Sequence, residues 1–290
     1  MLVTGGTGFV GTKVVEAIRT RGHDVRALVR KSHAPAGVEG VEGDMIDAES
    51  LRRAVSGCDV VVHLAAIRQG KPEQFERIMS RGTRDLVAAA EDEGVRRLVL
   101  MSALGVTEET KDLVPYYGAK WDMEQAVAGS GLGHVVFRPS FVFGTDGGIL
   151  KTFRKLAKLP VTAIPGSGRQ RIQPIWVDDV GQYFARAVDL PEAPNRVFEL
   201  GGPDIVTWDD FWDRLKQALG ARRPTVHMPM WFMRANALVT ERLPGNLPLT
   251  RDLLKMLEGP DNVVSENSAP GVFDVAPMPL DEQLRRLAAA

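Results

Sequence analysis

Through the first half of the chain, short apolar runs alternate with longer stretches in which apolar residues recur every three or four positions. Five runs read as strands: Met1–Thr4, Val25–Val29, Val60–Leu64, Arg97–Ser102 and His134–Arg138. They are apolar at nearly every position, the pattern of strands covered on both faces. Between them, Val10–Arg21, Ala48–Val55, Glu73–Glu93 and Tyr116–Ser130 read as helices. Such alternation predicts right-handed crossovers and a parallel sheet with helices on both sides. Beyond Gly144 the pattern loosens. Pro160, Pro165, Pro174, Pro191, Pro194, Pro203 and Pro224 punctuate short segments before a helical stretch over Trp208–Leu219. The expectation is a sheet domain over 1–144 and a small α+β cap over most of 145–290. Segments 172–188 and 197–200, with late strands Ile172–Val177 and Val197–Leu200, return to the sheet.

The first strand runs into Thr4-Gly5-Gly6-Thr7-Gly8-Phe9-Val10-Gly11, with glycines three apart between a strand and an amphipathic helix. Gly5 permits the turn out of the strand, Gly8 lets a diphosphate approach the backbone, and Gly11 lets the helix pack closely on the sheet. The free N–H groups and positive dipole of the helix N-terminus complete a phosphate cradle, with Thr7, Phe9 and Val10 around it. This predicts a Rossmann-type, doubly wound α/β fold with the cap as its substrate domain.

The end of the second strand selects the dinucleotide. An acidic residue there holds the ribose 2′-OH of NAD. Here the strand ends Val29-Arg30-Lys31. Arg30 can stack beneath adenine and meet a 2′-phosphate, and Lys31 adds charge. NADP is the expected cofactor, with NAD the alternative, and an exposed basic loop is the plainer reading of the pair. Gly43-Asp44-Met45 follows an extended segment; Asp44 could accept from the adenine amino group or close an Asx turn. After Val62-His63, the small residues of Leu64-Ala65-Ala66 would let the backbone lie against the cofactor, and His63 reads as a packed strand residue.

Tyr116 and Lys120 are four apart at the start of a helix and share one face. An ammonium near a phenol lowers its pKa, so Tyr116 could exchange a proton with a substrate carbonyl or alcohol while Lys120 also bonds a ribose.

With these residues in place, the chain resembles the short-chain dehydrogenase/reductase superfamily, in its extended and atypical NAD-dependent epimerase/dehydratase branch. The resemblance rests on the TGGTGFVG loop, Gly43-Asp44, Val62–Ala66, Tyr116/Lys120 and Arg138-Pro139-Ser140-Phe141-Val142-Phe143-Gly144. It continues through Gly166–Arg171 and Trp176–Val180. Less specifically, Pro248–Asp252 and Asp261–Val264 look like bacterial relatives of an accessory subunit of respiratory complex I. The resemblance implies that Pro139, Ser140 and Val142 pack against nicotinamide. It also implies that Arg171 grips a substrate diphosphate beside Tyr116, the plainer reading being an ion pair with Asp178 or Asp179. One departure stands out. The superfamily's catalytic hydroxyl falls at Ala103, with Ser102 one residue earlier, and neighbouring strand residues point to opposite faces. Ser102 replaces the hydroxyl only if the backbone turns there.

Composition narrows the rest. With 290 residues, 44% hydrophobic and 25% charged, and a formal charge of −1, the chain is ordinary for a globular protein and gives no reason to expect nucleic acid. Cys58 is the single cysteine, a buried hydrophobe rather than a nucleophile in expectation, and no metal site is read. No apolar run approaches a membrane span, and the opening residues already read as a strand. The expectation is therefore a leaderless cytoplasmic protein acting on a small molecule, pairing as a homodimer in the manner of its superfamily. The Met- and aromatic-rich Val226–Ala235 reads as cap core or the wall of an apolar pocket, with an exposed face docking on a partner or membrane surface as the sharper alternative. Three functions stay open: an NADP-dependent oxidoreductase, a non-catalytic NADPH-binding structural or redox-sensing protein, and a nucleotide-sugar epimerase or dehydratase.

Overall fold

The computed structural model describes residues 1–31, 33–240 and 250–290, without the side chains of 238–240. Pro248 and Leu249, the start of one C-terminal motif, lie outside the described residues. The chain divides into two compact units. The first comprises Met1–Pro139, Val177–Leu200 and Ser265–Ala276; the second comprises Ser140–Trp176, Gly201–Val264 and Pro277–Ala290.

The first unit is built on β1 (Leu2–Thr4), β2 (Arg26–Val29), β3 (Glu39–Glu42), β4 (Val60–His63), β5 (Arg97–Met101), β6 (Gly133–Pro139) and the strand Arg196–Leu200. They form one seven-stranded sheet in the order Arg196–Leu200, β6, β5, β4, β1, β2, β3, and every pair is parallel. The order reverses between β1 and β4, the switch point at which doubly wound sheets take their ligands. Leu2, Val3, Val60, Val61, Val62, Leu98, Val99, Leu100, Val135, Val136 and Phe137 are all buried, which explains the unbroken apolar runs.

On one face, helix α1 (Phe9–Thr20) packs on the helix Val177–Asp189, so closely that a Cβ at Gly181 would stand 2.8 Å from the Lys13 carbonyl oxygen. On the other face lie α2 (Ala48–Val55), the run Pro72–Asp92 and the helix Pro115–Ala128. They close over a core that includes Leu51, Val55, Phe75, Met79, Leu86 and Met123. The predicted single helix Glu73–Glu93 contains a π-helical stretch, Glu76–Arg81. The turn that follows places Gly82 against Met45, where a Cβ would meet the Met45 carbonyl oxygen at 2.5 Å.

The second unit has a separate aromatic core, with Phe153 ring-packed on Trp208, Phe211 and Trp212 at 5.1–5.6 Å. Ile172–Val177 is not the single sheet strand that its apolar pattern predicts. Arg171–Ile172 pairs antiparallel with Val206–Thr207, while Ile175–Trp176 pairs parallel with Val142–Phe143. Pro174 between them has no N–H to continue a ladder, and Val177 already opens a helix. The return to the sheet unit thus starts at Val177. The Met- and aromatic-rich segment is largely surface and not cap core: Val226, Trp231 and Phe232 are exposed, Trp231 by 71%.

Candidate functional site

Helix α1 begins at Phe9, with extended Gly8 as its N-cap and no side chain bonded there. Thr12 N–H donates to the Gly8 carbonyl as the first bond of the helix, so the amides just before it point out of the N-terminus. Gly5 has φ +73°, and a Cβ there would lie 2.8 Å from the Ala65 amide nitrogen. The β1–α1 loop therefore lies directly on the end of β4, where Leu64, Ala65 and Ala66 follow. Gly11 is required by the loop itself and not by the sheet: its Cβ would fall 2.0 Å from the Gly5 carbonyl oxygen. At Gly8 a Cβ would meet only that same oxygen, at 3.3 Å. The protein leaves space beside Gly8 and fills the space beside Gly11. A cradle shaped this way fits a dinucleotide diphosphate.

At the far ends of β2 and β3, a cleft of about 920 Å³ is lined by Arg30, Lys31, Glu42, Gly43, Asp44, Asp47, Ser50 and Arg53. Gly43 tucks beneath Ser50, where a Cβ would clash at 2.8 Å. Asp44 closes the Asx turn, accepting from Ile46 N–H at 3.3 Å, and still lines the cleft. Met45 is different: its side chain is buried in the core.

The Tyr116 helix follows β5. Burial pushes the Tyr116 phenol up to about 12, with Tyr117 beside it raising it further and Arg68 pulling slightly the other way. The sequence expectation of a phenol made acidic by Lys120 is corrected here. Phe75 and Tyr117 wall the ring, at centroid distances of 6.4 and 6.2 Å. The Lys120 Nζ stands 5.9 Å from the Tyr116 ring centre and donates to the Met101 carbonyl at 2.6 Å. Lys120 is itself buried, which lowers its pKa to about 8, while Glu124 raises it. Glu124 takes both forks of Arg138 at 2.9 and 2.6 Å.

His63 is fixed on both sides, by Thr4 Oγ1 at 2.6 Å and Thr83 Oγ1 at 2.9 Å. Burial, helped by the charge of Lys120, drives its pKa down to about 3, so it stays neutral. It is a packed strand residue. Ser102 is 1% exposed, and its hydroxyl has no hydrogen-bond partner among the described residues. The backbone does not turn its side chain out to solvent.

The remaining sequence candidates lie at the unit boundary or in the second unit. Pro139 ends β6. Ser140 donates to Asn262 Oδ1 at 2.5 Å, and Val142 pairs with Ile175. Arg171 is held by Asp261, which accepts from its Nε at 2.7 Å and its backbone N–H at 2.8 Å. Neither Asp178 nor Asp179 is that partner. Sequence reasoning missed Glu124 and Arg53. Glu124 is four residues beyond Lys120 on one helix face, a spacing that could have revealed it; Arg53 carries no such signal.

A protein-family profile described as NAD(P)H-binding matches residues 5–166, which span this loop, the cleft and the Tyr116 helix. The chain belongs to this NAD(P)H-binding family. It is 27% identical to the 2-alkyl-3-oxoalkanoate reductase of Stenotrophomonas maltophilia over all of this chain and 98% of that protein. It is 33% identical, over half of each chain, to the 4-hydroxy-2-methyl-3-oxo-4-farnesyl-3,4-dihydroquinoline-1-oxide ketoreductase of Stigmatella aurantiaca. The chain thus spans half the length of this second relative. A UDP-glucose 4-epimerase structure from Thermotoga maritima superposes with a TM-score of 0.77 at 21% identity, covering 99% of this chain and 97% of that one, and so shares the fold. The chain is thereby an NAD(P)H-binding protein similar to proteins named as reductases. No described helix is long and apolar enough to cross a membrane.

Proposed function

We propose that the protein is an NADP-dependent reductase of a carbonyl group carried on an apolar substrate, with Tyr116 as the proton donor. The observation that carries this reading is the protonated, walled phenol of Tyr116 beside buried Lys120. A phenol is already protonated at neutral pH at its ordinary pKa, and the rise to about 12 holds that proton more firmly. That state suits delivery of a proton to a carbonyl oxygen better than removal of one from an alcohol. When bound, the reduced cofactor supplies the hydride. Gly5, Gly8 and Gly11 with the first amides of α1 would hold its diphosphate, Arg30 and Lys31 its adenosine phosphate, and Lys120 its second ribose. Tyr116 donates its proton to the carbonyl oxygen, and Lys120, held by Met101, puts its ammonium 5.9 Å from the ring centre of the phenolate left behind. With Ala103 at the usual hydroxyl position and Ser102 sealed in, the proton step falls to Tyr116 alone.

An apolar substrate is supported by the alkyl and farnesyl groups in the names of the two relatives. Arg171, the residue on which the nucleotide-sugar reading rests, is paired with Asp261 in an exposed ion pair. The test is loss of nicotinamide absorbance with purified protein, NADPH and a panel of 3-oxo esters and acids of rising alkyl length. Turnover that rises with chain length is expected. A flat trace across the panel, with tight NADPH binding, would instead support the non-catalytic reading.

Reduction carries a pH signature. Lys120 is depressed to about 8, so it is charged below that pH and neutral above it. Its charge stabilises the departing phenolate, so kcat is level on the acid side. It falls by about tenfold per pH unit above the Lys120 pKa. Glu124→Gln removes the carboxylate that raises Lys120 and moves the falling limb to lower pH. A kcat profile that rises through pH 8 contradicts the assignment.

A further inference from the structure

We infer that Arg53, reaching into the adenosine cleft from α2, grips the 2′-phosphate of the cofactor and makes the protein select NADPH over NADH. The inference rests on the NADP reading above and adds to it a residue that no strand-end pattern points to. Three cations, Arg30, Lys31 and Arg53, line one cleft from two different elements. Two of its acids are engaged with backbone. Asp44 Oδ1 accepts from Ile46 N–H, and Asp47 Oδ1 accepts from Glu49 N–H as the N-cap of α2. Glu42 is the third acid, so the lining balances three cations with three carboxylates, and a phosphate is favoured here by the guanidinium forks and not by net charge.

The face that α2 presents is fixed by Ser50. Its buried hydroxyl donates to the Asp47 carbonyl at 2.8 Å and accepts from Asp44 N–H at 3.1 Å. Arg53 lies three residues on and therefore shares that face. Its recorded ion pair is with Glu49, at 3.8 Å between two side chains each more than half exposed. Such a pair is worth little and yields readily to a dianion. A guanidinium fork meets phosphate oxygens two at a time, and this geometry discriminates a phosphate from a hydroxyl. The adjacent Arg52 pairs with the same Glu49, at 3.7 Å, but does not line the cleft. The helix therefore supplies its own control.

The test is a set of dissociation constants for NADPH and NADH, measured by calorimetry on the wild type, Arg53→Ala, Arg53→Lys and Arg52→Ala, each with its melting temperature. Arg53→Ala is expected to weaken NADPH about tenfold and leave NADH unchanged, the loss of one charge-assisted phosphate contact. Arg53→Lys recovers part of this, and Arg52→Ala changes neither constant. Equal losses for both dinucleotides, or none, overturn the inference. If the wild type prefers NADPH and Arg53→Ala keeps the full preference, this inference alone fails. A wild type that binds NADH as tightly as NADPH removes the NADP reading, and this inference with it.

Discussion

Tyr116→Phe lowers kcat for carbonyl reduction by roughly 10²–10⁴-fold, the range of a single positioned general acid, and leaves the NADPH dissociation constant as in wild type. The substitution removes one oxygen and keeps the ring. Its edge packing on Phe75 and its contact with Tyr117 are retained, so the fold has no reason to respond. What disappears is the hydroxyl and its transferable proton, which burial binds more firmly than in a free phenol. The neighbouring tyrosine provides the comparison. Tyr117 is buried, and its hydroxyl donates to the Leu104 carbonyl at 3.4 Å, a structural use. Tyr117→Phe is expected to keep most of the turnover that Tyr116→Phe loses. Steady-state kinetics on the substrate found in the oxo-ester panel reads both variants. If Tyr116→Phe turns over at the wild-type rate, the proton comes from elsewhere and the proposed chemistry is wrong.

The sheet unit was legible because its signals are local. The inner strands announce themselves by apolar runs and the crossover helices by their period, whereas the edge strand β3, Glu-Gly-Val-Glu and largely exposed, carries no such run and is missed. Ala48–Val55 matches the structure residue for residue. The loop from Thr4 to Gly11 needs only its own glycines to be understood, although Gly11 serves the loop where the sequence suggested the sheet. The failures came where distant segments decide the outcome. The acidity of Tyr116 depends on Phe75, far earlier in the chain, closing over it, so nearness to Lys120 in sequence suggested the opposite shift. Arg171 finds Asp261 across ninety residues, which no spacing rule could choose over the nearer Asp178 and Asp179. Ile172–Val177 carries a strand's composition, but Pro174 and the start of a helix at Val177 split it. Arg52 and Arg53 are chemically equal in the sequence, and only the direction of α2 separates them.

Gly8→Val abolishes useful dinucleotide affinity while leaving the protein folded. NADPH binding weakens by about a hundredfold or more, because two methyl groups then occupy the path of the diphosphate to the α1 amides. The argument turns on what Gly8 does not do for the protein itself. Its backbone is extended, with φ −80° and ψ 172°, a conformation open to any residue. A Cβ there meets one atom, the Gly5 carbonyl oxygen, at 3.3 Å, so a small adjustment accommodates it. Gly11 has the reverse character. A Cβ 2.0 Å from that oxygen and 2.8 Å from Gly6 Cα cannot be fitted without moving backbone. Gly11→Ala should therefore cost at least the 1–3 kcal/mol, roughly, of an overpacked core, and lower the melting temperature. Calorimetric titration and thermal melts on the two variants separate the roles: Gly8→Val loses ligand and keeps stability, while Gly11→Ala loses stability first. A Gly8→Val protein that binds NADPH as the wild type does would show that the diphosphate does not rest on this loop, and both the cofactor site and the reductase reading built on it would fall.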